Sequence, residues 1–271
     1  MAADTAPLHD FPPVFVISLK DAADRRALIT GKLAAAGLAF EFLDAVDGRR
    51  FDVNAQPIYN GPQRRLFYGR DLMGGEIGVL LSHKAAMQRV LDEDLPCALI
   101  LEDDVELDPP FPTVVRALMR RPDAWELVRF FGDAKHERRR QRRILPLAHG
   151  FWLTRLSTSP GEAHAYLVSR SGARKMLRRL ERTSTPIDTI MGQPWKTGVG
   201  ALAVHPGLAR QDPSLGTSIN DARFDKKPST TGLPRLLLPL AKTALKTCEN
   251  LLKRIFYYAA WFGDRRTRGK A

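Results

Sequence analysis

Three consecutive carboxylates, Glu102, Asp103 and Asp104, follow directly on the apolar run Cys97–Leu101 in the stretch CALILEDDVELDPPF. Like charges this close raise one another's pKa, and a divalent cation is the simplest compensation. Hard oxygen donors that leave room for water and phosphate oxygens suit Mg²⁺ or Mn²⁺ rather than zinc. If the strand stays extended into the turn, Glu102 and Asp104 face one way and Asp103 the other. The chemistry that follows is activation of a diphosphate by charge neutralisation. A second reading stays open on the triplet alone: Asp103, Asp104 and Glu106 are favourable charges at the start of a helix, with Pro109 and Pro110 marking the turn.

Other residues have chemistry within reach. Arg25 and Arg26 in SLKDAADRR either meet a diphosphate or decorate the solvated face of a helix. Glu76, Ser82 and His83 lie in GGEIGVLLSHK, where Glu76 and His83 are about seven residues apart and share a helix face. Gly74 and Gly75 there permit close backbone approach. His83 borders a donor or acceptor site, or is an ordinary hydrogen-bonded helix histidine. Asp188 in STPIDTIM is a carboxylate facing a cleft or a helix N-cap.

The elements that must position these groups alternate. PVFVISL reads as a buried strand, and DAADRRALITGKLAAAG as a helix with a capping Asp, an apolar stripe through Leu28 and Leu33, and a terminating Gly37. LAFEFLDAV alternates as a strand does, and GEIGVLLSHKAAMQRVLDED carries Ile77, Leu80, Leu81, Ala85 and Val90 at helical spacing before the strand CALILE. A parallel sheet of βαβ type is expected, with its ligand crevice beyond the carboxyl ends of the strands, where the acidic cluster sits. WELVRFFG and EAHAYLVS read as further strands, and SRSGARKMLRRLER as a basic helix capped by Ser. DGRRFDVNAQPIYNGPQRR and HERRRQRR read as surface loops.

Composition narrows the classes. With 271 residues and 44% hydrophobic content, the chain can bury a substantial core. Beyond Asp225 there are eleven basic residues against Glu249 and Asp264, so nine units of the net charge of +12 belong to the tail. The expected organisation is a flexible N-terminus over 1–12, a domain over 13–225 and a basic amphipathic helical tail over 226–271. In that tail Leu237, Ala241, Ala244, Cys248, Leu251, Ile255, Ala259 and Phe262 follow one face, and Lys242, Lys246, Glu249 and Lys253 another. Either the tail lies on an anionic lipid surface or it packs on the domain. Two cysteines make no disulfide framework, and a reducing compartment fits. No secretory signal opens the chain and no apolar run spans a membrane, so a cytoplasmic location is expected.

In order, VFVISLKDAADRR…AVDG, GGEIGVLLSHKAAM and ALILEDDVEL resemble the successive signatures of glycosyltransferase family 25, the lipopolysaccharide and lipooligosaccharide glycosyltransferases related to collagen galactosyltransferases. The resemblance continues through GEAHAYLVSRSGARKML, TPIDTIM and VHPGLARQDPSLGTSI, covering roughly Val14 to Ile219. This chain has Ser18 where many members carry Asn, Val79 where many carry Cys, and His205 where many carry an aromatic residue. The resemblance implies an α/β GT-A-type, Rossmann-like nucleotide-sugar-binding fold and transfer of a hexose, with inversion, from a UDP-linked donor such as UDP-galactose. It matches Glu102 and Asp104 to the D-x-D pair that meets Mn²⁺ or Mg²⁺, with Glu102 also toward the ribose. It favours Arg25 and Arg26 as nucleotide contacts and Asp188 as the base that deprotonates the acceptor. His205 is a second-half metal ligand in such enzymes or, on its own sequence, a structural residue.

The expected partners are therefore a nucleotide sugar, a saccharide or glycolipid acceptor, and an anionic membrane surface met through the tail, on the cytoplasmic face of an inner membrane. A metal-dependent nucleotidyltransferase would carry a glycine-rich basic triphosphate loop near the first strand, which SLKDAADRR lacks. A nucleic-acid binder would explain the positive charge, but that charge is concentrated in the tail and no base-reading module is present. No specific nucleic acid is expected.

Overall fold

The first strand, β1 (Val14–Ser18), is buried at all five positions, as a strand covered on both faces must be. The computed structural model that shows this describes residues 11–132, 140–158, 161–215 and 231–269. The expected boundary at 225/226 lies outside the described residues, whereas Phe11 and Pro12, on the N-terminal side of the other, already pack at the start of β1.

Helix α1 (Ala23–Ala35) follows, and its buried residues are Ile29 and Leu33, one turn apart. Leu33 is buried as expected, but Leu28, also expected in the apolar stripe, is exposed, and Ile29 takes the inward place. Asp21 does not cap it; Ala22 stands at the N-cap. Gly37, at φ +67°, ends the helix, with Gly37 N–H donating to Ala34 and Leu38 N–H to Leu33. That is the Schellman pattern, which glycine favours.

After β2 (Glu41–Asp44), the stretch expected to be a loop contains helix α2 (Gly61–Tyr68). Asn60 accepts from the Gln63 N–H at its start, Pro62 opens its first turn and Gly69 closes it in the left-handed region. These are local start and stop signals that outweigh weak periodicity. Helix α3 (Gly74–Asp92) then leads to β3 (Cys97–Glu102).

The remaining elements are β4 (Val105–Leu107), α4 (Phe111–Met119), β5 (Leu127–Arg129), β6 (Gln141–Pro146), β7 (Trp152–Leu156), β8 (Ala165–Ser169), α5 (Arg170–Arg179), α6 (Ile187–Met191), α7 (Pro194–Thr197), β9 (Leu202–His205) and β10 (Ala209–Gln211). Helices α8 (Leu233–Ala259) and α9 (Trp261–Gly269) form the tail. Gln141–Arg143 belong to a strand rather than the expected loop, and residues 136–139 of that stretch lie outside the described residues.

Among the described residues one eight-stranded sheet runs β2-β1-β3-β8-β5-β9-β7-β6, with β10 and β4 paired beside it. The fold is α/β, but the sheet is mixed: β1 pairs in parallel with β2 and β3, whereas β8 runs antiparallel between β3 and β5. Leu101 opposes Ala165, so β8 starts at the carboxyl end of β3 and carries the preceding residues to the acidic cluster. Alternation divides the core. Val14, Val16, Leu99 and Leu101 pack on one face with Ile29, Leu33 and Phe111; Phe15, Ile17, Ala98 and Ile100 pack on the other with Ile77, Leu80 and Met87.

The tail is docked along part of its surface. Leu238 and Tyr257 are buried, and Gln193 donates to Glu249 Oε1 at 3.0 Å. Asp264 of α9 is buried and accepts from Arg142 Nε at 2.9 Å and Arg155 Nη2 at 2.7 Å, tying α9 to β6 and β7. No helix among the described residues is long and apolar enough to cross a membrane. Cys97 is buried and Cys248 exposed, and neither forms a disulfide.

Candidate active site

A cleft of about 250 Å³ opens where β1 and β3 end, and Arg25, Glu76, Ser82, His83, Glu102, Asp103, Asp104 and Asp188 all line it. Of the nucleotide and catalytic candidates named from sequence, Arg26 alone is not among its lining residues.

Arg25 projects from the first turn of α1, on the same line as the buried Ile29 and Leu33. Its Nη2 lies 2.6 Å from Asp103 Oδ1 and 2.9 Å from Asp104 Oδ2, so one guanidinium clasps two carboxylates. Asp103 was expected to point away. It lines the cleft instead, and accepts a 2.7 Å hydrogen bond from the Ser18 hydroxyl. Strict alternation fails because β3 ends at Glu102, and Asp103 and Asp104 form a turn before β4.

Arg26, one residue on, is turned about 100° around the helix. It donates to the backbone carbonyls of Ser18 and Leu19 and to Asp44 Oδ1, with its guanidinium over the Phe42 ring. It therefore fastens α1 to the ends of β1 and β2, with its own side chain outside the cleft lining.

Glu102 continues the alternation of Ala98 and Ile100 and so faces α3. There His83, fully buried, places Nε2 3.2 Å from Glu102 Oε1 and Nδ1 3.0 Å from the Tyr166 hydroxyl. The chain closes when Nε2–H donates to Glu102 and Nδ1 accepts the tyrosine proton. Burial by itself raises the Glu102 carboxyl; the His83 hydrogen bond, with the Arg25 charge behind it, outweighs it and holds the group below its usual value. Burial and then the Glu102 charge push the Tyr166 hydroxyl well above its usual value, which keeps it a donor.

Asp104 behaves oppositely. Burial, then the neighbouring Glu102 charge, raise it to about 6 despite Arg25. Its Oδ1 is buried without a hydrogen-bond partner, as is His164 Nδ1. Sequence reasoning missed His164 and Tyr166. A His-x-Tyr pair at strand spacing in EAHAYLVS was the available signal, but only the pairing of β8 with β3 puts it here, through the Glu102 N–H bond to the His164 carbonyl at 2.8 Å.

Glu76 opens α3, where Oε2 accepts from the Met73 N–H at 2.8 Å as a helix-start acid does. Ser82 accepts from the Val46 N–H and donates to the Gly78 carbonyl, which holds the loop after β2 against α3. Contact is so close that a Cβ on Gly74 would sit 2.1 Å from the Gly48 oxygen, and one on Gly48 1.9 Å from the Gly74 oxygen. Both positions exclude any side chain.

Asp188 lies in the first turn of α6 and is not its N-cap, which is Pro186. Its Oδ1 accepts from the Thr189 N–H, and Gly161 passes so near that a Cβ there would lie 3.1 Å from Oδ2. His205 ends β9 opposite Trp152 and does not line the cleft.

Among the described residues no three His, Cys, Asp or Glu side chains are grouped to hold a metal ion by themselves. The orphaned, buried Asp104 Oδ1 and the carboxylate of Glu102 are nevertheless hard oxygen donors facing one cleft. They fit Mg²⁺ or Mn²⁺ when a ligand's own phosphate oxygens complete the shell.

Sheet and cleft together define an α/β protein with a ligand crevice beyond its strand ends. The family model described as "Glycosyltransferase family 25 (LPS biosynthesis protein)" matches residues 11–191, and the chain belongs to that family. Curated relatives include procollagen galactosyltransferase 1 of Danio rerio, 28% identical over 62% of this chain and 28% of its own length. Another is the inactive glycosyltransferase 25 family member 3 of Homo sapiens, 28% identical over 67% of this chain and 31% of its own length. The chain thus spans less than a third of the length of these two relatives. A solved glycosyltransferase "involved in the glycosylation of the major capsid of PBCV-1" is similar at 10% identity over 66% of this chain and 65% of that one, with a TM-score of 0.28. A likeness of that size carries no argument.

Proposed function

We propose that the chain is an inverting glycosyltransferase that moves a hexose, galactose in our reading, from a UDP-linked donor to a saccharide or glycolipid acceptor of lipopolysaccharide or another surface glycan. Family membership supports the reaction class, and the galactosyltransferase relative supports the sugar. The observation that carries the mechanism is one cleft lined by Arg25, Glu102 and Asp104 together with Asp188.

In this mechanism the bond between the anomeric carbon and the diphosphate oxygen breaks as the acceptor oxygen attacks from the opposite face. Asp188 takes the acceptor hydroxyl proton, as an inverting displacement requires. Negative charge grows on the departing UDP, and Arg25 offers it a guanidinium already held by Asp103 and Asp104. Glu102, fixed by His83, faces the ribose or the anomeric region, where carboxylate charge favours an oxocarbenium-like centre. A bound Mn²⁺ or Mg²⁺ at Glu102 and Asp104 would supply Lewis-acid neutralisation of the leaving diphosphate.

The test is a panel of UDP-, GDP- and CMP-sugars assayed for binding and slow hydrolysis, with Mn²⁺ and with chelator. UDP-hexose binding and hydrolysis that depend on the metal are expected. Binding of no sugar nucleotide overturns the reading. Release of pyrophosphate from a nucleoside triphosphate would favour a nucleotidyltransferase instead.

A further inference from the structure

Helix α8 has one anchored face and one bare one. The anchored face carries Leu238 and Tyr257, both buried, and Glu249, which accepts from Gln193. Beyond its end, Asp264 is tied to Arg142 and Arg155. Rolling the helix to hide its other side would break this buried ion pair, at strong cost.

On the bare side Leu237, Leu240, Ala244, Cys248, Leu251 and Ile255 advance by three or four residues and are all exposed. Leu240 is 73% and Leu251 57% exposed. At about 1.5 Å per residue, the 27 residues of α8 make a rod of about 40 Å. An apolar line of that length is far from the scattered single leucines of an ordinary surface. Tyr258, Trp261 and Phe262 stand at its far end, with Phe262 70% exposed.

Charge selects the occupant. Lys242, Lys246, Arg254 and Arg265 are exposed around the tail, and the chain beyond Asp225 has nine more positive than negative charges. A second copy seated on this face would set two tails of like net charge against each other, and the one acid in α8, Glu249, is turned toward Gln193. Paired helices use opposite charges beside the seam. An anionic bilayer meets both features, and the helix cannot cross it.

We propose that the outward face of α8, with the aromatic start of α9, is a docking surface for an anionic lipid bilayer, lying in the interface with its cations at headgroup level. The surface is rigidly joined to the chemistry: α8 packs on α7, which packs on α6, the helix bearing Asp188. The proposal stands apart from the glycosyl-transfer reading, since vesicle binding is read with neither donor nor acceptor present.

The experiment is flotation of the full chain with vesicles of phosphatidylcholine alone and of phosphatidylcholine with phosphatidylglycerol, with light scattering of the free protein. Binding to the anionic vesicles is expected, about tenfold or more weaker on neutral ones and falling with added salt. The variant L240N/L251N/I255N should lose at least about tenfold of that binding. K242Q/K246Q/R254Q, on exposed positions, should approach the wild-type affinity for neutral vesicles. Equal binding to both vesicle types, no binding to either, or unchanged binding by the leucine variant overturns the proposal. So does a wild-type dimer that the leucine variant converts to monomer. If the leucine variant shows no cooperative unfolding, the charge variant decides: unaltered anionic binding by it overturns the proposal.

Discussion

His83 Nε2 lies 3.2 Å from Glu102 Oε1, joining the middle of α3 to the last residue of β3. The pair is a positioning device, since the ring's other nitrogen meets Tyr166 and leaves the imidazole one orientation. His83→Ala removes both bonds, leaves a buried tyrosine hydroxyl unpartnered and opens a void. A loss of about 2–4 kcal/mol is expected in denaturant unfolding. His83→Gln, which retains a donor toward Glu102, should recover part of the stability and more of the donor affinity. Equal loss of donor affinity in both variants would show that Glu102 does not depend on this bond.

Arg25 and Arg26 are neighbours with separate work. Arg25→Met should raise the Kd for UDP at least about tenfold, because it removes a cleft guanidinium and leaves two carboxylates facing the diphosphate. Arg26 does not itself line the cleft but holds the carbonyls of Ser18 and Leu19, so for Arg26→Met thermal stability should fall with UDP affinity within about twofold. Calorimetric titration of both variants separates the two roles, and a reversed order would refute the assignment.

This contrast also marks where the sequence was legible. The alternation of β1 and β3 and the order of strand and helix follow from apolar periodicity. Arg25 and Arg26 were read together because adjacent helix residues are told apart only by the helix phase, which the burial of Ile29 and Leu33 sets. Strand direction has no local signature, because a buried strand reads alike in parallel and antiparallel neighbourhoods. For that reason His164 and Tyr166 stayed unrecognised although their spacing was visible. Asp103 was misread where a turn interrupts the two-residue period.

Burial pushes the Cys97 thiol up to about 12. Its folded value then exceeds the unfolded one of about 8.5, so the folded state keeps a proton that the unfolded state releases. The stabilisation is complete below about pH 8.5 and is lost as pH rises toward 12, at about 1.4 kcal/mol per pH unit. Unfolding curves between pH 8 and 10 should show this slope in the wild type, and Cys97→Ala should lack it. A thiol reagent at pH 8 should label exposed Cys248 alone in the native chain.

Asp264 tests whether the tail is an integral part of the fold. With two arginines on one buried carboxylate, Asp264→Asn leaves both guanidinium groups undercompensated, and a loss of about 3–5 kcal/mol is expected. Hydrogen exchange should quicken along α9 and the end of α8 before it does in β1 or β3. Unchanged protection in α9 would mean that the clasp adds nothing to the tail's attachment.

Asp188 is the residue on which the proposed inverting mechanism stands. Its Oδ1 is engaged by the Thr189 N–H, which fixes the carboxylate on the cleft wall, while Gly161 passes so near that a Cβ there would press on Oδ2 at 3.1 Å. Asp188→Asn preserves shape and the Thr189 contact but removes the proton acceptor. Transfer should fall by about 10²- to 10⁴-fold, with the Kd for UDP within about twofold of wild type, because no diphosphate contact is altered. Gly161→Ala offers a second probe of the same position: crowding Oδ2 should lower transfer while UDP binding is retained. Donor affinity lost in parallel with turnover in Asp188→Asn would assign this carboxylate to donor binding, and the base would have to be sought elsewhere along the cleft.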